Sequence, residues 1–217
     1  PSSITFAKGY IDSLDSEGNK TSIVQLTQTD AAILPFPENH FDAVVSMTVF
    51  EHIKSLESAI NETYRVLQPG GLAFILLPPY YSPWGSHLQH WIRFPWPQIF
   101  FSEKTLLRVA AREDQRTQLS SQFVDAARID WENPGGVIPH LNKITFRKFK
   151  NLVNQAGFLT LQLQCLPIGY ERLKQHSSLI PRLAYQISSI GTQIPFLQEI
   201  FITKMVFVLK KPNLSNH

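Results

Sequence analysis

The chain has 217 residues, enough for one domain with a substantial core, and 43% of them are hydrophobic, the proportion of an ordinary globular protein. Its net charge of +3 and pI of about 9.0 come from basic residues scattered along the sequence, which argues against a nucleic-acid-binding surface. A single cysteine, Cys165, excludes an internal disulfide framework and points to a reducing, cytoplasmic compartment; no run approaches the ~18 apolar residues of a membrane span, and no signal peptide opens the chain.

Ile4 to Leu14 reads as a short helix, with Phe6, Tyr10 and Leu14 at helical spacing. After a polar turn at Asp15–Asn19, Ser22 to Thr27 reads as a strand that delivers Asp30 to the loop at its carboxyl end. Two prolines stiffen Leu34-Pro35-Phe36-Pro37 by fixing φ and restricting the residues before them. Phe41 to Met47 is a mostly apolar run, as in a strand buried on both faces. Thr48-Val49-Phe50-Glu51 fits a capping box, which predicts a helix opening there, with Glu51 tied back to the cap and His52 in the first turn.

That helix carries one apolar stripe, Leu56, Ala59, Ile60, Tyr64 and Leu67, while Glu57, Glu62 and Arg65 take a solvated face. Pro69-Gly70-Gly71 ends it, and Leu72 to Leu77 is the next buried strand. Tyr80 to Phe101 concentrates aromatic and histidine side chains, among them Tyr80, Tyr81, Trp84, His87, His90 and Trp91. Following a strand's carboxyl end, this stretch reads as a lid over a site, against the plainer alternative of a packed loop. His87 and His90 are three apart, but no further ligand has convincing spacing, so no metal site is expected. Ser102 caps a helix bearing Leu106, Leu107, Val109 and Ala110; Arg112 to Asn133 is a polar, solvated stretch, and Asn133-Pro134-Gly135-Gly136 a turn. Thr145 caps a further helix through Phe149, Leu152, Val153 and Ala156, closed by Gly157. Leu159 to Cys165 is a strand in which Cys165 serves as a small buried hydrophobe. Tyr170 to Gln198, rich in Leu and Ile, either covers the site or rests on a membrane surface, and Ile202 to Leu209 is the last strand.

Three of these signals stand in a fixed order: Asp30-Ala31-Ala32-Ile33-Leu34-Pro35-Phe36-Pro37 ahead of Phe41-Asp42, the strand leading into Glu51-His52, and Arg65-Val66-Leu67-Gln68-Pro69-Gly70-Gly71. Together they resemble the middle of a class I S-adenosylmethionine-dependent methyltransferase with a methyltransferase type 11-like domain. The resemblance implies an α/β fold, a Rossmann-like, mainly parallel sheet with helices on both faces and a last strand inserted antiparallel. The family's opening strand, its G-x-G-x-G loop and its second strand have no counterpart in this sequence, so the fold is expected to be N-terminally incomplete. One domain is expected over residues 1–212, with substrate-side lid insertions at 78–140 and 166–199 and a tail at 213–217.

The resemblance further implies S-adenosyl-L-methionine as cofactor. Asp30 would accept a hydrogen bond from the adenine amino group, the Ala31 backbone would meet the ring edge, and Ser46, Met47 and Thr48 would lie at the methionine end. Leu77-Pro78-Pro79-Tyr80-Tyr81 is similar to the D/N-P-P-Y signature of amino-group methyltransferases, but Leu77 replaces the residue that would hold the amine, and the motif follows the wrong strand. The expected function is methyl transfer to a small or medium-sized, aromatic or lipid-like acceptor, contacted by Tyr80, Tyr81, Trp84, His87, His90 and Trp91. His52 and His87 are the candidate bases, since a histidine near pKa 7 suits proton removal. The alternative is a non-catalytic methyltransferase-like binding or scaffold subunit; peripheral membrane contact fits either.

Overall fold

The computed structural model describes residues 3–16, 24–117, 141–170 and 179–213. Its sheet has four strands, β1 (Phe41–Met47), β2 (Leu67–Leu77), β3 (Leu159–Pro167) and β4 (Ile202–Lys210), in the order β1-β2-β4-β3. β1 runs parallel to β2, whereas β4 is antiparallel to both β2 and β3. The last strand is thus inserted antiparallel, as the resemblance implied. Because it supplies two of the three pairings, the sheet is mixed where a mainly parallel one was expected.

Around the sheet lie α1 (Ser3–Ser16), a 3₁₀ turn (Phe50–His52), α2 (Leu56–Val66), α3 (Pro97–Phe100), α4 (Glu103–Thr117), α5 (Phe146–Gln155), α6 (Leu179–Gly191) and α7 (Gln198–Phe201). The apolar stripe of α2 buries Leu56, Ala59 and Ile60, and α5 buries Phe149 and Val153. They meet the sheet face made by Ala73, Ile75 and Leu77 of β2 and by Met205, Phe207 and Leu209 of β4, which pair across the ladder. Alternation sends Val45, Met47 and Phe74 to the other face, where Val45 and Met47 are 68% and 64% exposed. Helices were expected on both faces; this face lies open at those three residues.

Thr145 caps α5 as expected, its hydroxyl accepting from the Lys148 N–H at 3.2 Å, and Gly157 takes φ 90° just beyond the helix. Ser102 likewise accepts from the Thr105 N–H at 3.3 Å ahead of α4. A second core cluster packs Tyr80, Leu88 and Trp91 against Leu106, Leu107 and Ala110 of α4. Lys211 Nζ donates to the Tyr64 and Leu67 carbonyls, at 2.9 and 2.7 Å, and so ties the end of β4 to the α2–β2 junction. Cys165 is half-buried in β3, and burial, with the charge of Glu199 adding, pushes its thiol up to about 11, which keeps it protonated at neutral pH.

Three local expectations are corrected. Residues 24–30 form no strand, and Val24 and Leu26 are exposed; a strand requires a ladder, and β1, the neighbouring edge, has no outer partner among the described residues. The capping box does not form either. Thr48 adopts φ 52° and its hydroxyl donates to the Met47 carbonyl at 2.8 Å, and the α-helix begins only at Leu56. The intervening 3₁₀ turn is held from far along the chain: Asn142 Nδ2 donates to the Phe50 and Ile53 carbonyls at 2.7 and 2.8 Å, and the Asn142 N–H to the Glu51 carbonyl at 2.9 Å. Glu62 and Arg65 are not merely solvated. The carboxylate accepts Arg65 Nε at 2.6 Å and the Leu34 N–H at 2.7 Å, while the guanidinium donates to the Phe36 and Leu34 carbonyls at 2.9 and 3.1 Å. This clamp holds the Leu34–Pro37 loop on α2. The turn read at Asn133–Gly136, and most of the polar stretch before it, lie outside the described residues.

Candidate active site

A cavity of about 710 Å³ opens at the carboxyl ends of β1 and β2. Its inner wall is Thr48, Glu51 and His52, which follow β1; one side is Trp84, His87 and Trp96 from the segment after β2. Pro167 at the end of β3 and residues 168–170 after it, Ile180 and Ala184 of α6, and Thr203 and Lys204 of β4 complete it.

His52 and His87, 35 positions apart in sequence, have ring centroids 5.2 Å apart and lie edge to face. Glu51 Oε1 is 3.8 Å from His52 Nε2, and the Glu51 side chain is buried. His87 sits at φ 56°, a conformation that is uncommon for a side-chain-bearing residue, and its N–H donates to the Trp84 carbonyl at 2.9 Å. The tight turn before it requires Gly85, where a Cβ would come within 2.0 Å of the Tyr80 carbonyl oxygen. Gln98 Nε2 pins that turn through the Tyr80 and Ser82 carbonyls at 2.9 and 2.7 Å, and Trp96 Nε1 bonds the Ile200 carbonyl at 2.9 Å.

Of the six residues expected to meet an acceptor, Trp84 and His87 line the cavity. Tyr80 is buried against α4, where its hydroxyl donates to Glu103 Oε1 at 3.2 Å; burial first, and the Glu103 charge second, raise its pKa. Tyr81 packs edge-on against Tyr80. Trp91 is buried and donates from Nε1 to Asp114 Oδ1 at 2.9 Å, and exposed His90 packs beside it. Among the residues expected at the cofactor, Thr48 lines the cavity. Asp30 is exposed and accepts from the Ala32 N–H at 2.9 Å, and Ala31 rests against the main core. Ser46 pairs with buried Ile75, and its Oγ is buried without a hydrogen-bond partner in the protein, whereas Met47 faces the open side. Sequence reasoning missed Glu51 as a wall of the site, together with Trp96, Gln89 and Lys204. The adjacency of Glu51 to His52 was the available signal; the others arrive from distant elements.

The methyltransferase-domain family matches residues 3–75. This region belongs to the class I S-adenosylmethionine-dependent methyltransferases. The ubiquinone/menaquinone biosynthesis C-methyltransferase UbiE of Ectopseudomonas mendocina is 43% identical over 53 residues, 24% of this chain and 21% of that one. The demethylmenaquinone methyltransferase of Thermus thermophilus is 44% identical over 57 residues, 26% of each chain. The chain therefore spans about a quarter of the length of the curated relatives it matches. Among solved structures, YcgJ of Bacillus subtilis aligns over 98% of this chain and 79% of that one, at 14% identity and a TM-score of 0.48.

S-adenosylmethionine is the methyl donor of this family. Of the residues expected to hold it, Thr48 stands at the cavity in a left-handed turn at the end of β1, while the Arg65 clamp fixes Leu34 and Phe36, the segment that follows Asp30 and Ala31.

Proposed function

We propose that this methyltransferase methylates a small or medium-sized acceptor with an aromatic or lipid-like body, bound in the 710 Å³ cavity. The observation that carries the reading is the convergence of His52, His87 and buried Glu51, with ligating atoms within 4.8 Å of one another, in a cavity at the strands' carboxyl ends. When bound, S-adenosylmethionine supplies an electrophilic methyl group. Asp30 and Ala31 would hold its adenine end and Thr48 its methionine end. Trp84 and Trp96 flank the acceptor and exclude water; positioning of this kind is worth up to ~7–11 kcal/mol in ideal intramolecular cases. His87 takes the proton that an oxygen or nitrogen acceptor must lose, and the Glu51 carboxylate beside His52 stabilises the positive charge this leaves on the histidine pair. α6 lends Ile180 and Ala184 to the cavity and exposes Leu183, Ile187 and Ile190 along its length, an apolar stripe that suits a lipid-like acceptor or a membrane surface. No helix among the described residues is long and apolar enough to cross a membrane.

The relatives' names put quinone-type rings first in a panel of acceptors. With labelled S-adenosylmethionine, His87→Ala lowers kcat by roughly 100-fold while the Kd for S-adenosylhomocysteine is unchanged. Wild-type rates in the variant would return His87 to a packing role, and a loss confined to KM would make it a positioning residue. Among the described residues the outer edge of β1 has no partner strand, which favours a second reading, a non-catalytic binding or scaffold subunit. Micromolar one-to-one binding of S-adenosylmethionine, with turnover, would eliminate it.

A further inference from the structure

We infer that Glu51, His52 and His87 form a binding site for a divalent transition-metal ion on the inner wall of the cavity. Each residue offers one ligating atom, two imidazole nitrogens and a carboxylate oxygen, and the three atoms lie within 4.8 Å of one another. Ligand bonds of about 2.0–2.2 Å around one tetrahedral ion bring such donors to roughly 3–3.5 Å apart.

The backbone is already set for this. Asn142 fixes the 3₁₀ turn that presents Glu51 and His52 through three hydrogen bonds of 2.7–2.9 Å. His87 is held at φ 56° by the Gly85 turn and by its own bond to Trp84. Left-handed backbone at a non-glycine residue is a conformation that folds keep chiefly at functional sites, where the surroundings enforce it.

Three protein donors leave coordination positions open toward the cavity, the pattern of a catalytic rather than a closed structural centre. Gln89, in the same wall, has a buried Oε1 with no hydrogen-bond partner in the protein, a polar acceptor suited to a metal-bound water. Two imidazoles and one carboxylate select zinc, iron, cobalt or nickel over magnesium and calcium, which prefer all-oxygen shells. Lys204 also lines the cavity and is the opposing charge the site must tolerate. On the methyl-transfer reading above, on which only this last step rests, a bound ion would take over from His87, whose nitrogen it occupies, and its open positions would favour an acceptor that offers an oxygen donor.

The test uses the metal alone. Purified protein freed of metal by a chelator is titrated with Zn²⁺ by calorimetry and with Co²⁺ by visible absorption, with neither S-adenosylmethionine nor acceptor present. One ion per chain is expected, with ligand-field bands for Co²⁺. His87→Ala and Glu51→Gln each weaken Zn²⁺ binding roughly 100-fold or more, since even outer partners of a metal site are worth about 10–100-fold. His40→Ala, whose ring stacks on Phe36 and does not line the cavity, leaves the affinity unchanged. Circular dichroism checks that each variant is folded, and His87→Ala alone decides if Glu51→Gln is not. Absent or non-saturating binding, or binding equal in wild type and His87→Ala, overturns the inference. Methyl transfer without ion binding overturns it alone; one ion bound with no methyl transfer to any acceptor supports it and counts against the earlier reading.

Discussion

Glu62→Gln is expected to destabilise the protein by ~1–2 kcal/mol at pH 7, through the clamp that holds the loop after Asp30 and Ala31. The Arg65 hydrogen bond, with smaller contributions from the Leu34 N–H and the Arg65 charge, overcomes partial burial and holds the Glu62 carboxyl at about 2, against an ordinary 4.5. That depression of ~2.5 units corresponds to about 3 kcal/mol at full value. The Arg65 and Glu62 side chains are 29% and 18% exposed, so solvent screens part of it, and ~1–2 kcal/mol is the figure that survives. A carboxyl whose folded pKa is depressed contributes its stability above the unfolded pKa, and that contribution fades as pH falls through the folded one. Urea unfolding at a series of pH values therefore shows a constant gap between wild type and Glu62→Gln above about pH 5, narrowing between about 4.5 and 2. A gap that stays constant through that window, or widens as pH falls, would refute the assignment of the stabilisation to the ion pair.

Asp30→Ala is expected to weaken S-adenosylhomocysteine binding by ~1–3 kcal/mol, read as a calorimetric Kd. Asp30→Asn, which keeps an acceptor for the Ala32 N–H, separates loop support from adenine recognition, and an unchanged Kd in Asp30→Ala would remove this residue from the site. Met47→Lys, on the open sheet face beside the edge of β1 that has no partner strand among the described residues, is expected to reduce concentration-dependent self-association in sedimentation velocity. Equal association of the two proteins would show that this face is not what brings chains together.

Periodicity and punctuation made most of the scaffold readable. The Leu56, Ala59 and Ile60 stripe of α2, the Thr145 cap of α5 and the Ser102 cap of α4 are local properties and stand where the sequence placed them, whereas Leu67 and Pro69-Gly70-Gly71, read as the end of α2, belong to β2. The failures share one cause. Thr48-x-x-Glu51 has the letters of a capping box, but Asn142, about 90 residues away, offers the turn a different set of hydrogen bonds. Val24 to Thr27 has strand composition but no ladder to join. Glu62 and Arg65 read as solvated because their partners, the carbonyls of Leu34 and Phe36, are invisible to a side-chain pattern. The site was legible to the same degree: His52 and His87 could be named singly, but only the fold brings them side by side, and only the fold buries Glu51 beside them.

The position of β4 bears on how this protein is made. It is the last strand in sequence yet lies inside the sheet, hydrogen-bonded on one side to β2 and on the other to β3. Roughly 120 residues separate the end of β2 from the start of β4. At about 5–20 residues per second, a growing chain therefore carries the β2 edge bare for on the order of ten seconds. The apolar rows that α2 and α5 cover cannot close on β4 until that segment has left the ribosome. Chaperone demand in the cell should follow from this order of events, and moving the β4 segment upstream by circular permutation is the direct way to shorten that interval.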